Sequence, residues 1–574
     1  MEDKTYRSNQ MKLGHANAGN RTFLYGIGLD RAEIRKPFIG IANTWNEIHP
    51  GHKHLRELSA AVKEGILACG GQPFEFNTIA LCDGIAQGHP GMCYVLPSRD
   101  LISDSVEVNA HAHCFDGLVL IASCDKIVPA MAMAAGRINI PTIIVTGGPM
   151  LGGTFEGKRM GGGWMVREAS SRVTRGEMSE EDYERMQKNV CSGVGSCPMM
   201  GTANTMSCLM EPLGLALPGC GAVHAVMAEK LRYARNSGKR IMEMVEQDIK
   251  PRDYITEETF VNTLRVSAAI GGSTNTLIHM PAIAGAFGYT LEPEVFNHMG
   301  DTTPYLANVI PSGKYTMQEF AQAGGIPAVM KELGEKYLDL SQKAVTGRTW
   351  AEELEDNPGS INHEVIASTS KPLREDSGVC VLKGNLAPVG AAIKRTAVHP
   401  DMLCHRGPAR VFDGEESAVE AIKSGNIHAG DVVVIRYEGP KGGPGMREMQ
   451  NPVTAMISYG LSECAALVTD GRFSGASHGP CIGHVAPEAA EGGPIALVHE
   501  GDIISIDIPR KTLVLEVSDA ELEARRKKWT AIPPKAESHY LNRFRYLVTN
   551  AWRGAVMEVP EQQLSALDGA PDQG

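Results

Sequence analysis

The sequence predicts an α/β protein in two parts: residues 1–375 as an α/β domain with a parallel sheet, and residues 376–574 as a β-rich domain. Three observations predict this. A chain of 574 residues exceeds one ordinary core, so two or three domains of roughly 100–200 residues each are expected. Through the first half, apolar runs of strand length alternate with helical stretches, the rhythm of parallel strands joined by helices. Near residue 375 that rhythm gives way to short β-rich runs.

In chain order, "PFIGIANTW" reads as a strand and "HLRELSAAVKEGILACGG" as the helix after it. "FNTIALCDG" is the next strand, followed by a helix near "SRDLISDSVEVNAHAH". In "GLVLIASCDK" the unbroken apolar run Leu118 to Ala122 marks a buried parallel strand, and Pro129 lies in the first turn of the helix that follows. "PTIIVTGGPM" is the fourth strand, and Asn204 to Gln247 and Thr256 to Ala286 read as largely helical. The texture changes over Ser368 to Lys383, after which "GVCVLKGNL", "DVVVIRYEG", "AALVTDGRF" and "DIISIDIPRKTLVLEV" supply the strands. The tail "LSALDGAPDQG" reads as disordered.

Composition excludes several classes. Hydrophobic residues make up 43% and charged residues 21%, as in soluble globular chains. No run of about 18 apolar residues is present, and "MEDKTYRSNQMKLGH" lacks the apolar core of a signal peptide, so a cytoplasmic protein without a membrane partner is expected. A net charge of -12 with no Lys/Arg block argues against a nucleic-acid partner. Thirteen cysteines in a chain read as non-secreted point away from a disulfide framework, so spacing must separate buried thiols from ligands.

The chemistry concentrates at strand ends, where open α/β sheets leave a crevice for ligands. Cys82-Asp83-Gly84 and Cys124-Asp125-Lys126 place the same dipeptide after two different strands. A thiolate suits iron–sulfur iron or zinc and a carboxylate suits Mg²⁺ or Mn²⁺, so adjacent Cys and Asp fit two different metal centres. "CSGVGSCPMMGTANTM" adds Cys191 and Cys197 in a loop before a helix. In the second half, Arg447-Glu448 follows the Gly-rich "EGPKGGPG", and Ser474 stands in a Gly-flanked turn after "AALVTDGRF". Such loops let backbone amides approach an anion closely.

The stretches "CDGIAQGHPGM", "SCDKIVPAM", "GGSTNTLIHMPAIAG", "YEGPKGGPGMREM" and "TDGRFSGASHGPCIGHVAPEAAEGGPIA" resemble the dihydroxy-acid and sugar-acid (6-phosphogluconate) dehydratase family, from about Lys36 to Met557. The resemblance implies a hydro-lyase that converts a 2,3-dihydroxy acid to a 2-keto acid, using an iron–sulfur cluster ([2Fe-2S] or [4Fe-4S]) beside Mg²⁺. Carried over by motif, Cys124 and Cys197 ligate the cluster. Asp83, Asp125 and Glu448 hold Mg²⁺ with Lys126 as a carbamate, and Ser474 is the base. It also implies a barrel-like, swivelling second domain and a homodimer or dimer of dimers. The chemistry asks for the same kinds of group: the weakly acidic C2 proton needs a base and a cation to stabilise enolate-like charge, and the departing hydroxyl needs a Lewis acid.

The sequence departs from the family pattern at Gly51, which follows Pro50 where many relatives carry a cysteine, and Cys82 is the substitute third thiol. Ala130 replaces a usual glycine, and the opening "GHANAGNRTFLYGIGL" differs from the arginine-rich start of biosynthetic relatives. Cys69, Cys93, Cys191, Cys208 and Cys220 read as structural, while His49, His52, His54, His111 and His113 read as lining a polar pocket rather than binding zinc. "GGTFEGKR" lacks the Ser or Thr of a phosphate loop and reads as a surface loop. Three functions follow: dehydration of a branched dihydroxy acid as in valine and isoleucine synthesis, dehydration of an aldonic acid, and a non-catalytic iron–sulfur redox protein. Ser474, Glu448 and the second metal site speak against the third.

Overall fold

A computed structural model describes residues 5–473, 477–533, 535 and 538–559, so the tail read as disordered lies outside the described residues. The first half is built on strands β1 (Phe38–Asn43), β2 (Gln72–Asn77), β3 (Gly117–Ala122) and β4 (Thr142–Thr146), all parallel, in the order β2-β1-β3-β4. β1, β3 and β4 are buried along their whole length, and accordingly their sequences are almost continuously apolar rather than alternating. Helices Leu55–Ala68, Pro97–Ala112 and Ile127–Ile138 make the crossovers. The chain steps from β1 outward to β2, then back across to β3, so the order reverses between β1 and β3. A crevice opens beyond the carboxyl ends of those two strands.

Two sequence expectations need adjusting. β2 stops at Asn77, opposite Asn43 where β1 itself ends, so Cys82 lies five residues past the strand instead of at its tip. Continuing the strand would have left its backbone groups without a partner. The expected helices at 204–247 and 256–286 are each two: Thr202–Leu209 and Ala228–Gln247, then Glu257–Ala269 and Thr276–Phe287. Pro212, Gly214, Pro218, Gly219 and Gly221 interrupt the first pair and Gly271-Gly272 the second. The stretch "GGTFEGKR" forms a small hairpin, β5 (Thr154–Phe155) and β6 (Lys158–Arg159), whose turn residues Glu156 and Gly157 both have positive φ.

The second half supplies β7 (Val379–Leu382), β8 (Gly390–Lys394), β9 (Cys404–Phe412), β10 (Val432–Ile435), β11 (Glu448–Met449), β12 (Ala466–Thr469), β13 (Arg472–Phe473), β14 (Cys481–Ala486), β15 (Ile503–Asp507) and β16 (Thr512–Leu515). Eight of them form one sheet in the order β16-β15-β9-β10-β12-β14-β8-β7. Lys383, just past β7, bridges Thr512 of β16, so the sheet nearly closes on itself as a barrel and its edges find partners. β11 and β13 form a separate parallel pair reached from β10 and β12.

The halves share a small apolar core in which Leu96 and Ile278 meet Met446, Phe544 and Val548. Gly445, at φ 90°, lies so close to the first half that an added Cβ would stand 2.0 Å from the Cys93 carbonyl oxygen; only glycine fits there. Among the described residues, no helix is long and apolar enough to cross a membrane.

Candidate active site

The loop after β1 and the turn after β3 flank the crevice and are tied to each other. Thr44 donates its backbone N–H to the Ile121 carbonyl, and the His52 ring bonds the Ser123 carbonyl at 2.7 Å. Between β3 and its helix the backbone turns sharply, with Cys124 in the left-handed region at φ 70°. A non-glycine residue held there is strained, a condition found at functional sites.

Three carboxylates converge on the Lys126 ammonium. Its Nζ contacts Asp83 and lies 3.5 Å from both Asp125 Oδ2 and Glu448 Oε2. Lys126 is fully buried; burial and Arg472 oppose its charge, but Asp83, Asp125 and Glu448 outweigh them and raise its pKa. Glu448 arrives from the second half. β11 pairs with β13 in register, Glu448 opposite Arg472, and Arg472 Nη1 donates to Glu448 Oε2 at 2.8 Å. Asn275, at the start of helix Thr276–Phe287, donates to the same oxygen at 3.1 Å. Burial pushes the Glu448 carboxyl up, yet Lys126 and Arg472 together hold it below the usual range. Gln87 Nε2 donates to the Glu448 carbonyl at 2.8 Å, joining the loop after Cys82 to this strand.

Beside the acids opens a cavity of about 480 Å³. Cys82, Asp83, Cys124, Asp125, Cys197 and Glu448 all line it. The thiols are neutral by themselves: burial pushes Cys124 and Cys197 well up and Cys82 up to about 11, with neighbouring acids or thiols adding to each shift. Asn204 fixes the Cys197 loop, donating Nδ2 to the Cys197 and Met199 carbonyls at 2.6 and 2.7 Å. Gly195 in that loop has φ 124°, and a Cβ there would stand 2.3 Å from the Met150 amide nitrogen. Ile85, Met150, Trp164, Val166, Val190 and Met199 supply apolar parts of its wall, beside the polar side chains of Arg167 and Gln187.

The donor set suits metals. Asp83, Cys124 and Asp125 each offer a ligand atom within 4.8 Å of the others, and Asp83 Oδ1 is buried without a hydrogen-bond partner. Hard oxygens and soft sulfurs on one cavity fit two kinds of centre.

The sequence also matches two family models, the dihydroxy-acid/6-phosphogluconate dehydratase N-terminal model over residues 36–353 and its C-terminal counterpart over 364–555. The chain belongs to the dihydroxy-acid/6-phosphogluconate dehydratase family. It is 50% identical to the dihydroxy-acid dehydratase of Methanococcoides burtonii over 556 residues, 96% of this chain and 100% of that one. Similar matches are the dihydroxy-acid dehydratases of Methanosarcina barkeri, 51% identical, and Halothermothrix orenii, 50% identical, with the same coverage.

Of the residues expected from the family motifs, Asp83, Cys124, Asp125, Lys126, Cys197 and Glu448 are gathered at one place, and Cys82, the substitute third thiol, is with them. Ser474 lies outside the described residues. Cys191, read as structural, lines the same cavity beside Cys197, whereas Cys208 and Cys220 belong to the main core. The histidines separate: His49 lines the cavity, His52 and His54 are buried behind it bonding backbone carbonyls, and His111 and His113 are exposed at the far end of helix Pro97–Ala112. Burial pushes His49 down to about 2, which keeps its ring neutral. Sequence reasoning assigned no role to Asn275 or Arg472, although both lie inside the dehydratase-family stretches "GGSTNTLIHM" and "TDGRFSG".

Proposed function

We propose that the chain is a dihydroxy-acid dehydratase, a hydro-lyase converting 2,3-dihydroxy-3-methylbutanoate to 3-methyl-2-oxobutanoate. The observation that carries this reading is the make-up of the cavity, which sets the carboxylates Asp83, Asp125 and Glu448 and the thiols Cys82, Cys124 and Cys197 among the apolar side chains of Ile85, Trp164, Val166, Val190 and Met199. A branched alkyl end gains by burial against those apolar side chains, whereas each extra hydroxyl of an aldonic acid needs a hydrogen-bond partner in place of the water it leaves. An electron carrier has no use for three convergent carboxylates.

Cys124, Cys197 and Cys82 would hold the iron–sulfur cluster, and Asp83, Asp125, Glu448 and carbamylated Lys126 would hold Mg²⁺. When bound, these centres supply Lewis acidity for the leaving hydroxyl and positive charge beside the substrate carboxylate and the developing enolate. Carbamylating Lys126 reverses its sign, so with one divalent cation present the summed formal charge of Asp83, Asp125, Lys126, Glu448 and Arg472 stays the same. Arg472 and Asn275 orient Glu448 from behind. The apolar side chains in the wall limit the water that reaches the reacting carbons. Ser474 would take the C2 proton as its alkoxide, a form that positive charge held at the site would favour; its place two residues beyond Arg472 supports the role. Anaerobically prepared enzyme offered the branched acid and a panel of aldonic acids should release 2-keto acid from the first; release only from aldonic acids would overturn the substrate.

A further inference from the structure

A second, smaller hollow is lined by Thr274, Phe473, His484 and residues of β8 and β14, and its one cationic lining residue, among those described, is Lys394. β8 and β14 run antiparallel there, and Ala392 and Lys394 share one face of β8 while Cys481 and Gly483 share one face of β14. The small side chains of Ala392, Ala397, Gly479 and Gly483 leave a space of about 20 Å³, room for a single oxygen-sized group.

Lys394 is 9% exposed, and its ammonium makes no hydrogen bond or ion pair with any described residue. Other buried lysines of this chain are partnered: Lys126 by three carboxylates, Lys230 by the Cys220 carbonyl, Lys12 by the Lys36 carbonyl. An ammonium removed from water with no counter-charge is costly to keep, and burial alone lowers Lys394 to about 8. Such a group is set up for an anion that arrives from outside.

The hollow adjoins the acid cluster. Thr274 in its wall precedes Asn275, and Phe473 follows Arg472, so each of the two residues that grip Glu448 has a neighbour facing Lys394. The His484 ring, also in the wall, feels the Glu448 charge. His478 lies near residues of both spaces: its ring is 6.2 Å from that of Trp164 in the main cavity, and the Lys394 charge adds to the lowering of its pKa that burial causes.

We propose that Lys394 binds one carboxylate oxygen of the substrate and so fixes which end of the hydroxy acid faces the metal-binding acids. This rests on the dehydratase reading above. It makes Lys394 a binding residue for the substrate's only full charge, delivered by the barrel rather than by the α/β half.

The test compares Lys394→Met and Lys394→Arg in the cluster-loaded enzyme. Met keeps length without charge, so Lys394→Met should raise KM for 2,3-dihydroxy-3-methylbutanoate about 10- to 100-fold, the range of a lost charge-assisted hydrogen bond, with kcat changed less than about threefold. Inhibition by 3-methyl-2-oxobutanoate should weaken in parallel, while inhibition by its uncharged amide should not move. Lys394→Arg should recover most of the KM loss. Thermal unfolding should rise in Lys394→Met, because a buried lone charge is removed; a variant that unfolds while Lys394→Arg is stable would instead make the lysine structural and overturn the proposal. Unchanged KM and product inhibition in folded Lys394→Met would also overturn it. Wild-type enzyme that fails to dehydrate the branched acid would sink the functional reading itself, a separate outcome read before any variant is made.

Discussion

Glu448 and Arg472 stand opposite each other on β11 and β13, in register and joined by a 2.8 Å ion pair with neither side chain more than 9% exposed. A buried carboxylate that loses its counter-charge is expensive. Arg472→Met is therefore expected to destabilise the fold by about 3–5 kcal/mol in urea unfolding of the metal-free protein, the range for breaking a buried pair from one side. An unchanged midpoint would mean that Lys126 and Asn275 suffice to hold Glu448.

Cluster binding separates the thiols. Cys124→Ser and Cys197→Ser, purified anaerobically, should each lose most of their iron and sulfide, because each removes one of three soft ligands around the same cavity. Cys82→Ser should do the same. If Cys82→Ser alone keeps a full complement, the third ligand is another group, and Cys191 becomes the first candidate from its place in the wall.

Chelation should separate the two centres. EDTA is expected to abolish activity while leaving the visible spectrum of the cluster in place, and Mg²⁺ or Mn²⁺ should restore turnover, because the carboxylate oxygens form a hard-ligand site. Full activity after exhaustive chelation would remove the case for a separate divalent ion.

Ser474→Ala should lower kcat by roughly 10²–10⁴, the range for a lost general base, without altering the cluster spectrum or substrate affinity. Exchange of the C2 hydrogen with solvent deuterium, where wild type shows it, should stop. Near-normal turnover would leave Ser474 as a turn residue and shift attention to His49.

Glu488 gives a pH signature away from the metal ligands. Burial, reinforced by Asp470, pushes its carboxyl up to about 8, although the Lys441 and Gly442 amides donate to it. A folded-state value raised above the unfolded one means that the native protein binds the proton more tightly. The stability this contributes is full below about pH 4.5 and is lost as the pH rises towards 8. Glu488→Gln should flatten that decline, so its melting temperature relative to wild type rises between pH 5 and pH 8. Parallel curves for the two proteins would show that Glu488 does not titrate in this window.

The fold was most legible where burial is complete. β1, β3 and β4 are enclosed on both faces and carry unbroken apolar runs, whereas β2 is partly exposed at every position and its end could not be placed from composition. Cys124 and Asp125 were legible because they follow a recognisable strand at once. Asn275 and Arg472 were not. Neither is a typical ligand, and their roles come from contacts with Glu448, 173 and 24 residues away along the chain, distances that local pattern does not reach. Lys394 was hidden for a similar reason: only the folded arrangement shows that it is buried with no hydrogen-bond or ion-pair partner among the described residues.

The cavity is roofed by residues from both halves, with the thiols early in the chain and Glu448 some 250 residues beyond Cys197. At about 5–20 residues per second, a ribosome needs roughly 10–50 s to travel that distance. For most of that interval Cys82, Cys124 and Cys197 are outside the exit tunnel while the strand that carries Glu448 is unmade. Delivery of iron and sulfide from a carrier protein would meet least obstruction during this period, before the second half docks and narrows the approach, and oxidants would meet the same open door.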